Sequence, residues 1–317
     1  MRIKIWGARG STAAPMSNME YRSNIKNILR QAVASELSKE ADIDAFISAL
    51  PEYLTTVFGG NTTCVSVESN AGEFFILDCG TGLRDLGNEL MLREFAKGKG
   101  KANIMLSHNH LDHIQGLPFF KPVYIKGNVF TFCTPFQEQR QILSGMMTAP
   151  YFPVSWDSTA SSKQYHLIDP NISMGFKGGL KVDVHRVMHP NGCYAYRFRE
   201  NGKTFIFATD AEFNQNNIDQ ISADGDFFYN ADLLILDAQY DIEESAAKID
   251  WGHTSYTMAV NCAVKWKAKT LVMTHHEPSY SNEKLAFNNI DAAAYAREIG
   301  AEDLNILSAI EGMEFNL

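Results

Sequence analysis

Ser107-His108-Asn109-His110-Leu111-Asp112-His113 is the stretch on which the reading of this chain turns. Three of the nine histidines fall within it, with an aspartate among them, directly after the apolar run Ile104–Leu106. On an extended segment, side chains two apart point the same way, so His108 and His110 share a face. If the chain then turns into a helix, Asp112 and His113 swing toward a second point close by. Imidazole nitrogen and carboxylate oxygen together suit zinc, manganese or iron. The alternative is a polar loop with histidines by chance, and the density of the cluster speaks against it.

The rest of the composition bounds what such a site can serve. The chain has 317 residues, 45% hydrophobic and 21% charged, an ordinary globular mixture. No apolar run reaches about 18 residues, so no membrane-spanning helix is expected. Met1–Gly10 alternates like a strand and lacks the apolar core of a signal peptide, which makes the cytoplasm the expected compartment. The five cysteines (Cys64, Cys79, Cys133, Cys193, Cys262) are scattered and form no CxxC, so neither a disulfide framework nor a thiolate zinc site is implied. The net charge is −9, from 37 acidic and 28 basic residues, a poor balance for non-specific nucleic-acid binding.

Short β-rich runs recur along the chain. Ile3–Trp6, Cys64–Glu68, Phe74–Leu77, Val129–Cys133 and Leu180–Val184 read as strands. Tyr194–Arg199 and Thr204–Ala208 flank Asn201-Gly202, which predicts a tight hairpin. Leu233–Leu236 and Leu271–Met273 read as buried strands, and Leu304–Leu307 with Met313–Phe315 as a final hairpin around Glu311-Gly312. Tyr256, Ala259, Val260, Ala263 and Val264 keep helical spacing behind a Thr254 or Ser255 cap, and Asp291–Ile299 predicts a helix ending at Gly300. Asn18–Leu50 is helix-like, and Phe119–His166 mixes aromatic residues, prolines and Ser/Thr clusters. Neither is bordered by a flexible linker. Both are read as insertions on a single domain spanning residues 1–317, of layered α/β architecture.

His108-Asn109-His110-Leu111-Asp112-His113 resembles the HxHxDH motif of the metallo-β-lactamase fold superfamily. Trp6-Gly7-Ala8-Arg9-Gly10-Ser11, Gly59-Gly60-Asn61-Thr62-Thr63-Cys64 and Leu77-Asp78-Cys79-Gly80-Thr81-Gly82 resemble further elements of one hydrolase branch. The resemblance implies a four-layer αββα sandwich. It also implies two divalent ions, zinc first, with manganese or iron accepted by the same donors. Met188-His189-Pro190, Ala208-Thr209-Asp210 and Thr274-His275-His276 match the remaining ligand positions. By that match His108, His110 and His189 hold one ion, Asp112, His113 and His275 the other, and Asp210 lies between them. His275 follows its strand directly and is the better-placed ligand, with His276 its neighbour. A ligand histidine needs an acceptor on its other ring nitrogen, and Asp78 is the candidate.

Gly252-His253-Thr254-Ser255 resembles the histidine element of the phosphodiesterase branches, including ribonuclease Z, and Asp237 stands where those have an acidic partner. The ribonuclease Z pattern has glutamate there; the shorter Asp237 leaves the pairing distance open. Such a pair suits proton donation or phosphate binding. The resemblance thus implies hydrolysis of a small phosphodiester, a cyclic nucleotide foremost, by attack of a hydroxide held between the ions, with Asp112, His253 and Asp237 as the catalytic side chains. The alternatives are a ribonuclease Z-like endoribonuclease and a non-catalytic metal-binding sensor module. A large RNA partner fits the acidic charge less well, and Phe119–His166 has no obvious basic arm. The Asn18–Leu50 segment is read as a lid or a homodimer contact. Arg9 is weighed as a phosphate ligand against a surface arginine. His185 and His166 are read as without a metal role, Met146-Met147 as core fillers, and Tyr151-Phe152-Pro153 with Trp156 as either pocket wall or packing.

Overall fold

The computed structural model describes residues 1–35, 37–214, 217–218 and 227–317. Two seven-stranded sheets carry the chain. The first contains β1 (Arg2–Gly7), β2 (Cys64–Glu68), β3 (Phe74–Leu77), β4 (Lys101–Met105), β5 (Val129–Thr134), β6 (Ser162–Leu167) and, at the end of the chain, β14 (Glu314–Asn316), in the order β14-β1-β2-β3-β4-β5-β6. The second contains β7 (Met174–Gly175), β8 (Lys181–Val187), β9 (Cys193–Glu200), β10 (Lys203–Ala208), β11 (Leu233–Asp237), β12 (Thr270–Thr274) and β13 (Asn305–Ser308), in the order β13-β12-β11-β10-β9-β8-β7.

Alternation along the strands builds the layers. Phe205, Phe207, Leu233, Ile235 and Val272 pack against Ile3, Val65, Val67, Phe75 and Leu77 of the first sheet, so the two sheets meet face to face. Phe75 sits edge-on to Phe198 with centroids 5.2 Å apart across that core. The intervening residues, Ile206, Ala208, Leu234, Leu236, Leu271 and Met273, point out onto the helices α8 (Tyr256–Lys265) and α9 (Asn282–Glu298). On the other side Ile76, Ile104, Phe130 and Phe132 pack against α4 (Leu83–Leu90). The result is the four-layer αββα sandwich. Strand β11 is buried on both faces and pairs in parallel with β10 and β12, which is why it reads as a continuous apolar run.

Most expected elements are present with ends moved by one to three residues. Asn201 and Gly202 have φ of 51° and 74°, the positive pair a two-residue hairpin turn requires. Ser255 caps α8 by accepting from Met258 N–H, and α9 starts earlier than expected, behind Ser281. Two expectations are corrected. The strands near 304–307 and 313–315 are not a hairpin: β13 pairs with β12 in the second sheet and β14 with β1 in the first. Both are outer strands, and the chain crosses from one sheet to the other through Gly312. Phe119–His166 is not an insertion outside the sheet, because β5 and β6 lie within it and extend the first sheet in parallel. Trp156, Met147 and Phe132 pack in one core there, and the Trp156 indole donates to the Tyr165 hydroxyl at 2.7 Å.

The Asn18–Leu50 stretch forms two helices between β1 and β2. Its helices α1 (Asn18–Ala32) and α2 (Glu40–Ala49) bury no residue, and Glu36 lies outside the described residues. Glu20 ties α1 down by accepting from Asn282 N–H at 2.7 Å, at the start of α9. The short helices α3 (Glu52–Thr55), α5 (Leu111–Ile114), α6 (Gln139–Met146) and α7 (Ile242–Ala247) complete the described elements used below. Among the described residues no helix is long and apolar enough to cross a membrane.

Candidate metal centre

The ends of β3, β4, β10, β11 and β12 and the loop after β8 deliver their next residues to one place between the sheets. Three of these residues, Asp78, Asp210 and His275, have φ of 58°, 50° and 63°. Left-handed backbone is unfavourable for residues with a Cβ, and it turns each side chain sharply inward where the strand stops. After β4 the chain runs on through His108 to His110, the residue before α5, so Asp112 and His113 lie in the first turn of that helix. The turn inferred from the sequence is therefore present.

His108, His110 and His189 form one group whose ligand-type atoms lie within 4.8 Å of one another, and Asp112, His113, Asp210 and His275 form a second. His189 Nε2 is 3.2 Å from His110 Nδ1. Asp210 sits between the groups: Oδ2 is 3.1 Å from His113 Nε2, and Oδ1 is 3.2 Å from His275 Nε2 and 3.7 Å from His108 Nε2. Asp112 Oδ2 is 3.1 Å from His113 Nε2 and accepts from Ser11 N–H at 2.9 Å.

The outer ring nitrogens are held. Asp78, fully buried, accepts from Ser107 N–H, from the Ser107 hydroxyl and from His113 Nδ1–H, at 2.7, 2.7 and 2.9 Å. The Ser107 hydroxyl is also 3.0 Å from His108 Nδ1, so one aspartate steadies a histidine of each group. His189 Nδ1–H donates to Gly252 carbonyl at 3.0 Å. The inner nitrogens of His108 and His113 are buried and make no well-directed hydrogen bond, facing the carboxylates of Asp210 and Asp112 at 3.1–3.7 Å instead. Orphaned imidazole nitrogens converging with carboxylates are costly in an interior unless a cation takes them up. The donor set, nitrogen and oxygen without thiolate, fits zinc, manganese or iron; all five cysteines are buried and free.

The histidine pair at 275–276 is separated by geometry. His276 faces away, 2.9 Å from the Ala309 carbonyl, and burial pushes its pKa down to about 3. His275 lies in the cluster. His253 stands beside it, rings stacked with centroids 4.8 Å apart, and His253 Nδ1 is 2.8 Å from Asp237 Oδ2. The shorter aspartate therefore reaches. Its other oxygen accepts from Thr254 N–H at 2.9 Å.

Arg9 is not at the site's mouth. It is buried, and its guanidinium donates to the carbonyls of Gly59, Glu277 and Tyr280. His185 stacks on Phe227, and His166 is exposed on β6. The sequence carries no signal for Glu212, and Gly252 enters it only as the first residue of the His253 motif.

Burial works against charge on His275, yet Asp210, Asp112 and Asp237 raise its pKa to about 9, against 6.5 for a free imidazole. A raised folded-state pKa stabilises the protonated fold. That contribution is complete below the unfolded value of 6.5 and is lost as pH rises through about 9. Chelator-treated protein should therefore lose thermal stability from pH 6.5 to 9. Zinc-loaded protein, with the imidazoles neutral as ligands, should not. Parallel melting-temperature profiles for the two forms would contradict this.

The chain is similar to several proteins of known family. A ribonuclease Z of Prochlorococcus marinus (strain MIT 9515) is 21% identical over 273 residues, covering 68% of this chain and 82% of that protein. The metallo-beta-lactamase fold protein YhfI of Bacillus subtilis superposes with a TM-score of 0.62 at 16% identity, covering 99% and 98% of the two chains. A diphosphatase from the PhnP family gives a TM-score of 0.60 at 16% identity, covering 100% and 97%. The family model of the beta-lactamase superfamily domain matches residues 74–276. That match runs from the strand leading into Asp78 to the histidine pair after β12, well over half the chain, and the chain accordingly belongs to the beta-lactamase superfamily.

Proposed function

We propose that this protein is a dinuclear metal-dependent phosphodiesterase acting on a small phosphodiester, most favourably a cyclic nucleotide. The observation that carries this is the pair His253–Asp237, at 2.8 Å, stacked against the edge of the Asp210 cluster. An alkoxide is a poor leaving group unless protonated, and this pair puts a proton donor beside the ligand cluster. Two divalent ions held by His108, His110, Asp112, His113, His189, Asp210 and His275 would supply a nucleophilic hydroxide near neutral pH and neutralise charge on the phosphoryl oxygens. The protein's own part is to orient. Asp78 and Ser107 fix the tautomers of His113 and His108, Gly252 that of His189, and Asp237 that of His253. Asp112, held by Ser11 N–H, adds the carboxylate that faces both His113 and His275.

The family contains both small-molecule and RNA enzymes, and fold does not decide between them. The net charge of −9 supports a small substrate. Phe119, well exposed a few residues after α5 and edge-on to Phe152 at 5.8 Å, supports a base-stacking wall. A ribonuclease Z-like activity is the second reading, favoured by the name of the Prochlorococcus relative. Zinc- and manganese-loaded protein should be screened against cyclic mononucleotides, cyclic dinucleotides, an aryl phosphodiester and precursor transfer RNA. Turnover of the small diesters, with RNA left intact, is expected. Efficient cleavage of precursor transfer RNA without turnover of cyclic nucleotides would replace this reading by the second.

A further inference from the structure

Two residues after Asp210, Glu212 is buried at 6% exposure and carries a carboxylate that the phosphodiesterase reading leaves without a task. Its two oxygens accept from two backbone donors of one loop: Asp250 N–H at 3.2 Å and Gly252 N–H at 2.9 Å. Gly252 is the residue whose carbonyl takes the His189 Nδ1 proton, and His253 follows it directly. The same two segments are joined again by Thr254, whose hydroxyl donates to the Ala211 carbonyl and accepts from Phe213 N–H at 2.9 Å.

The loop needs this support. Gly252 has a φ of 88°, and a Cβ there would stand 2.1 Å from His189 Nδ1. No side chain can thus hold the carbonyl against the imidazole from Gly252 itself. The backbone must be aimed from outside, and a carboxylate accepting two N–H groups is a strong and directional way to do it.

We propose that Glu212 is a positioning residue of the metal centre: by clamping Asp250 and Gly252 it orients His189 as a ligand and sets His253 at its working distance. It thereby links the turn carrying Asp210 to both histidines, so that bridging carboxylate, ligand and proton donor move as one unit. This inference rests on the assignment of His189 as a ligand and, for His253 alone, on the phosphodiesterase reading. Outer-shell partners of ligating histidines typically contribute 10–100-fold to metal affinity.

The test uses Glu212→Gln, which keeps the volume and one acceptor but presents an NH₂ to a second N–H, and Glu212→Ala, which removes both acceptors. Zinc affinity is measured by competition with a chromophoric chelator, and melting temperature with and without zinc. The expected result is zinc binding weakened about 10–100-fold for one ion, more in alanine than in glutamine, with a smaller zinc-induced rise in melting temperature. Wild-type zinc affinity in Glu212→Gln would overturn the proposal, even if its metal-free form melts lower, since that is the signature of a merely structural residue. If Glu212→Ala does not fold, the glutamine variant alone decides. Because zinc binding is read without substrate, a failure of the phosphodiesterase assay leaves this result standing, and the two failures are told apart.

Discussion

Asp210→Ala is expected to cost the centre at least one of its ions and to lower turnover by at least about a thousandfold. Asp210 oxygens lie 3.1, 3.2 and 3.7 Å from the inner nitrogens of His113, His275 and His108, so one carboxylate serves both groups. The three imidazoles hold the Asp210 pKa well below the carboxylate range despite its burial, so it is anionic and ready to bridge. Its removal leaves histidines facing each other around a neutral methyl. An ion that carries several kcal/mol of transition-state charge, once lost, costs at least about a thousandfold in rate. Metal analysis should show two ions per chain in the wild type and one or none in the variant. His276→Ala is the contrasting control. It leaves the Ala309 carbonyl without its donor and should lower stability by about 1–3 kcal/mol, with metal content and turnover near wild type. Retention of two ions by Asp210→Ala, or loss of them by His276→Ala, would show that the ligand set is misassigned.

How much of this could be seen in the sequence follows from the range of the contacts involved. His108 to His113 declare themselves because the cluster is local: a strand, a turn and the first turn of a helix place four ligand-type side chains within six residues. His189, Asp210 and His275 carry no such local signature. They become visible only as single residues behind apolar runs, matched to a resembling pattern, and the backbone that turns them inward, with φ of 50° at Asp210 and 63° at His275, is not written in their residue types. Asp237 and His253 lie 16 residues apart, and the reach of the shorter aspartate had to come from the fold.

The misread regions have the same cause. Leu304–Leu307 and Met313–Phe315 look like a hairpin because Glu311-Gly312 is a good turn, yet sheet membership is set by partners near residues 2–4 and 270–273, which local propensity does not report. Val129–Thr134 and Ser162–Leu167 pair in parallel across a connection of 27 residues that is neither uniformly helical nor short, so the second of them passes for part of an insertion. Arg9 reads as a phosphate ligand or a surface arginine, and only the return of Gly59, Glu277 and Tyr280 to its side makes it a buried donor to three carbonyls. Glu212 has no local signature, because its contact with Gly252 spans 40 residues and follows no spacing rule.

The sharpest chemical expectation concerns His253. Its Nδ1 is engaged by Asp237, whose other oxygen is fixed by Thr254 N–H, so the ring is held by a buried carboxylate that cannot rotate away. That arrangement leaves Nε2 as the atom available to hand a proton to a departing oxygen. Such assistance typically contributes about 10²–10⁴-fold, and it is needed only when the leaving group is a strong base. His253→Ala should therefore lower turnover of a cyclic nucleotide, whose sugar oxygen leaves as an alkoxide, by about 10²–10⁴-fold. An aryl diester, whose phenolate departs unaided, should be affected far less, and metal content should stay at the wild-type level. Asp237→Asn should follow His253→Ala, because an amide cannot accept from His253 Nδ1–H and Thr254 N–H at once. The ratio of the two substrates is the decisive quantity. An equal loss on both, with metal retained, would mean that His253 binds phosphate or shapes the cleft, and that another group is the acid.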